Sequence, residues 1–104
     1  MEIKQIKQEL THVAQVIDRA AQALSNDDAA PQELKDYVRE LDTQSRKARQ
    51  SRDAQDLLQY IDELEQTGDR AKIACEKATY LGTQARDAVM QAHRQLSDLK
   101  HLVH

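Results

Sequence analysis

Two glycines and one proline are the only strong backbone breakers in this 104-residue chain. Turn-rich β architectures need far more punctuation, so the sequence reads as helical. One domain is the natural size, since a second independent core would need roughly 50 further residues. The aliphatic supply is thin: 21 Leu, Ile and Val, no Phe or Trp and three Tyr, against 14 Ala and 13 Gln. That balance lies near the border with disorder, which leaves the spacing of the apolar residues to decide.

Several classes of protein are disfavoured at once. No apolar run approaches the roughly 20 residues needed to span a bilayer. Met1 to Lys7 alternate charged and apolar residues, unlike the continuous core of a signal peptide, so a cytoplasmic chain is expected. Cys75 is the only cysteine, which rules out an intramolecular disulfide and a cysteine-rich zinc site within one chain. The formal net charge of −3 argues against bulk affinity for nucleic acid, which normally accompanies an excess of Lys and Arg.

Ile3, Ile6, Leu10, Val13, Ile17, Ala20 and Leu24 recur by threes and fours, the spacing that lines one face of a helix. This predicts a first helix over 2–25, ended by Ser25-Asn26-Asp27-Asp28, whose short polar side chains favour turns. Pro31 fits the first turn of a second helix, and Glu33 suits the positive end of its dipole. The stripe runs through Leu34, Val38, Leu41, Ser45 and Ala48, then through a polar stretch, and resumes at Leu57, Leu58, Ile61 and Leu64. A helix over 31–66 is predicted, with a bend or break near 43–53 left open. Gly68 is expected as its left-handed terminator, with Asp69 or Thr67 capping a third helix over 69–102. Within that helix Gly82 should cost about 1 kcal/mol relative to Ala.

The expected architecture is all-α: an antiparallel up-down-up bundle of three helices, the last two forming a long hairpin. At 1.5 Å per residue the first helix reaches roughly 33 Å and the other two roughly 50 Å each. The hairpin tip would then expose Leu57, Leu58, Ile61 and Leu64, each worth about 1.5–3 kcal/mol on burial. Either the second helix folds back, or another chain covers the tip, with a homodimer as the favoured solution. Tyr60 and Tyr80 flank the same hairpin and suit an interface or a packing boundary equally.

Two other features carry possible chemistry. Arg46, Lys47, Arg49 and Arg52 place four cations in seven residues, either a surface for phosphate, nucleic acid or an acidic partner, or a solvated helix face balanced by nearby acids. Glu9 and His12 have the Glu-x-x-His spacing of carboxylate-bridged metal bundles, although one copy in a helix is a weak pattern and a dimer would have to supply the second. His101 and His104 repeat the interval at a chain end. No nucleophile–base pairing is marked, and no motif names a family. The expectation is therefore a non-enzymatic adaptor, chaperone or regulator, without cofactor, bound metal or small-molecule substrate, acting on a protein partner or on itself through the apolar hairpin.

Overall fold

The stripe ending at Ala48 and the stripe beginning at Leu57 cannot share one straight helix. Nine residues separate them, and at about 100° per residue this places the second stripe roughly half a turn away from the first. The chain resolves the conflict by breaking. In the computed structural model, which describes residues 3–103, α1 spans Ile3–Ser25, α2 Gln32–Gln50, α3 Ala54–Lys77 and α4 Thr83–Val103. Glu2, where the first helix was expected to start, and His104 lie outside the described residues.

The three-helix bundle expected from the sequence is therefore corrected to four antiparallel helices. The second and third predicted helices are each divided, but only one division falls inside the stretch left open for it. At Ser51–Asp53 the Ser51 hydroxyl donates to the Asp53 carbonyl at 3.1 Å. The Asp53 carboxylate accepts the Gln55 N–H at 2.8 Å and so caps α3. This is ordinary N-cap chemistry, available without glycine or proline.

Gly68 does not terminate a helix. It lies inside α3, no described residue has a positive φ, and Gly68 is buried. The apolar spacing explains why: Leu57, Ile61, Leu64, Gly68, Ala71, Cys75 and Ala78 keep one face through the expected turn. The chain turns instead at 78–82. There the Arg86 guanidinium donates to the carbonyls of Cys75 at 3.0 Å and Ala78 at 2.7 Å. A cation on the last carbonyls of α3 satisfies acceptors that the helix itself leaves open.

Helices of 23, 19, 24 and 21 residues now match in length. They pack as a ring in which α1 meets α2 and α4, and α3 meets α2 and α4, giving a body of 41 × 20 × 17 Å. The core is aliphatic from end to end, built on Leu10, Ile17, Leu24, Leu34, Leu41, Leu57, Ile61, Leu64, Leu96 and Leu99. Leu57, Ile61 and Leu64 are at most 1 % exposed, so the projecting apolar tip is absent and one chain covers its own stripe.

The turns at the α1–α2 and α3–α4 end are tied together. Asp27 accepts the Ala29 N–H through Oδ1 at 2.9 Å and the Gly82 N–H through Oδ2 at 2.8 Å. Gly82 precedes α4 rather than sitting within it, and its carbonyl accepts the Arg86 N–H at 3.0 Å.

Candidate interaction surface

Alternating helix directions bring the start of α1, the end of α2, the start of α3 and the end of α4 to one end of the bundle. Lys4 and Lys7 arrive there on α1, Lys47 and Arg49 on the last turn of α2, Arg52 in the following turn, and Lys100 and His101 on the last turn of α4. Cations at the ends of α2 and α4 also lie at the negative poles of those helix dipoles, which favours them there. The opposite end receives Asp27, Asp28, Glu33 and Asp36 together with Lys35, Lys77 and Arg86. A chain of net negative charge thus gathers several basic residues at one end, where Asp53, Asp56 and Asp98 also lie.

Not all of these cations are free. Arg46 pairs with Asp42 at 2.9 Å, and Lys100 reaches Glu65 across the α3–α4 seam at 3.2 Å. Arg49 donates through Nε to the Ser45 carbonyl at 3.4 Å. Among the described residues, Lys4, Lys7, Lys47 and Arg52 have no carboxylate within ion-pair distance.

Three of the four clustered basic residues line grooves, and Arg49 lines none of them. Arg46 turns toward α1, where Lys35, Arg39, Asp18 and Asp42 share an open groove of ≈ 460 Å³. Lys47 and Arg52 line a smaller groove of ≈ 220 Å³ with Gln50, Ser51, Asp56 and Tyr60. Tyr60, half-buried, therefore sits beside the basic patch rather than on an apolar tip. Leu58 is half-buried two residues earlier on α3. Tyr80 is 85 % exposed in the α3–α4 turn, at the other end of the molecule, so the two tyrosines do not share a surface. Leu57, Ile61 and Leu64 are spent on the core.

On α1, Glu9 is half-buried and His12 exposed. Among the described residues, no three His, Cys, Asp or Glu side chains come together as a metal-holding group. His93, half-buried beside Ala92, bonds to Asp69 at 2.8 Å across the α3–α4 seam. Tyr37 donates to Glu33 at 3.2 Å; the carboxylate that accepts its proton holds the phenol above its ordinary range. Burial pushes the Cys75 thiol up as well. Lys100 escaped the sequence reading because only the number and direction of the helices bring it to the end that holds Arg52; Lys4 and Lys7 reach that end in either architecture and line a groove of their own on α1.

No family model, curated protein or solved structure matches the chain. None of its described helices is long and apolar enough to cross a membrane.

Proposed function

We propose that this protein is a small protein–protein interaction module, an adaptor, chaperone or regulator, whose cationic end docks an acidic segment of a partner. The observation that supports this reading is the gathering at one end of Lys4, Lys7, Lys47 and Arg52, which have no ion-pair partner among the described residues, in a chain of net negative charge. Unpaired cations concentrated on one surface steer an anionic partner and set its orientation more than they add raw affinity. Tyr60 beside Lys47 and Arg52 adds an amphipathic contact of the kind enriched at interfaces. Leu57, Ile61 and Leu64, first expected to anchor a partner, hold the bundle together, so recognition moves to the outside of the end.

A fluorescent ten-residue polyglutamate peptide and a ten-nucleotide single-stranded DNA serve as probes. The peptide should bind in a salt-sensitive manner. The double variant Lys47→Glu, Arg52→Glu should weaken it by about tenfold or more, since each lost ion pair is worth up to roughly 1 kcal/mol and reversal adds repulsion. Binding that is absent, or unchanged in the variant, refutes the proposal. A tenfold preference for the oligonucleotide replaces it with a nucleic-acid reading.

A further inference from the structure

The two turns that divide the predicted helices differ in one respect. Across Ser51–Asp53 the apolar face is lost, as described above. Across 78–82 it is not. Leu57, Leu64, Ala71, Ala78, Ala85, Ala92 and Leu99 follow one another at intervals of seven, and so do Ile61, Gly68, Cys75, Gly82, Val89, Leu96 and Val103. Both series pass through the turn without a slip. A strict seven-residue repeat of this kind is what keeps one seam on one face of a long helix. Every member is buried except Gly82, exposed in the turn, and Val103, half-buried at the chain end.

Nothing in the backbone of this turn forbids a helix. No described residue has a positive φ, and Ala78, the first residue of the turn, has φ −78° with ψ 104°. What holds the turn shut is specific. Arg86 bonds the carbonyls of Cys75 and Ala78, and Asp27 holds the Gly82 N–H. A Cβ at Gly82 would lie 3.0 Å from Asp27 Oδ2, so a side chain there makes the carboxylate give way by a few tenths of an ångström.

We propose that the 78–82 turn is a hinge through which two copies of this chain exchange α4. In the exchanged dimer α3 and α4 of each copy run as one helix over 54–103, roughly 75 Å long. The existing pairings show how the two rods meet. Glu65 reaches Lys100, Gly68 lies against Leu96 and Cys75 receives Arg86, so residue numbers on the facing helices sum to about 164. Two such rods cross at residue 82, with Gly82 beside Gly82 of the partner. Each α4 then rebuilds on the partner the α1 and α3 contacts it makes in the monomer, and only the turn itself changes. Short connections between helices whose interfaces are otherwise preserved favour this kind of exchange.

The test is light scattering after refolding at about 10 µM and at about 1 mM, on the wild type and on Gly82→Ala, Asp27→Ala and Asp53→Ala. Gly82→Ala makes the Asp27 carboxylate give way and raises helix propensity; Asp27→Ala removes the tie. Each should raise the dimer-to-monomer ratio about tenfold, the worth of a hydrogen bond of ordinary strength. Asp53→Ala, which removes a cap at the out-of-phase turn, should not raise it. Exchange is read from spin labels on Gln66→Cys and Asp98→Cys in a Cys75→Ala background, with labelled chain diluted in excess unlabelled chain. Facing helices lie about 10 Å apart, whereas 32 residues of continuous helix separate the labels by roughly 48 Å. A dimer with the long distance supports the proposal. A dimer that keeps the short distance, a dimer raised equally by Asp53→Ala, or no dimer in either hinge variant overturns it.

Discussion

Leu96 packs onto the bare backbone of Gly68: a Cβ built there would come within 2.9 Å of Leu96 Cδ1. The residue that looks like a helix terminator is thus a place where an α4 side chain packs directly on the α3 backbone. Gly68→Ala gains helix propensity of about 1 kcal/mol but forces a methyl into a filled seam, which typically costs about 1–3 kcal/mol. A net loss of about 1 kcal/mol is expected in urea unfolding. Combining it with Leu96→Ala should show strong non-additivity, because the shortened side chain admits the methyl. Additive effects would mean the two residues do not share the space.

Arg86→Met keeps much of the side-chain length and removes the guanidinium from the end of α3. Two charge-assisted hydrogen bonds to backbone carbonyls are lost, and about 2–3 kcal/mol of stability with them. Amide hydrogen exchange should accelerate first in residues 75–82. Unaltered exchange there would show that the cap contributes nothing to the closed turn.

Ser45 is fully buried and its Oγ finds no partner. A hydroxyl in that position costs desolvation without return, so Ser45→Ala should be neutral or stabilise by up to about 1 kcal/mol. Thermal unfolding reads the effect directly, and a destabilisation beyond about 1 kcal/mol would reveal a bond the hydroxyl makes.

The Cys75 thiol is raised by burial, and the sign of its pH effect follows. An unfolded thiol ionises near about 8.5, so above that pH the unfolded chain sheds a proton that the folded chain retains. Stability is unaffected by this group at lower pH and falls as pH rises through the unfolded value toward the folded one. Cys75→Ala should flatten the alkaline limb of the stability profile relative to wild type. Native Cys75 should also resist alkylation at pH 8; rapid labelling of folded protein would contradict the burial.

Leu57→Asp combined with Ile61→Asp should abolish cooperative unfolding. Each removes about 1.5–3 kcal/mol of apolar burial and places a carboxylate in the core. Retained helicity with a sharp thermal transition would return these residues to the surface.

How far the sequence can be read depends on which local signal competes with which. The stripe from Ile3 to Leu24 specifies α1 because a strong periodicity ends at Ser-Asn-Asp-Asp, where both signals agree. Gly68 misled because glycine is both a terminator and the residue that permits close packing; the unbroken spacing from Leu57 to Ala78 outweighs it. The turn at Ser51–Asp53 carries no breaker, yet the half-turn slip between Ala48 and Leu57 requires it. The turn at 78–82 was the least legible, since its apolar phase continues and only remote partners, Asp27 and Arg86, close it. The cationic end depends in part on the same topology. Arg46 to Arg52 are adjacent in sequence and Lys4 and Lys7 reach their level in either architecture, whereas Lys100 joins them only once four helices rather than three are counted.

An even number of alternating helices also returns the chain to where it began, so Ile3 and Val103 lie at the same end of the bundle. A short linker could join them there, with new termini opened between Asp28 and Ala30, leaving every helix-to-helix seam intact. Such circular permutants should keep the architecture, because the order in which the rods are strung matters less than which neighbours each one touches.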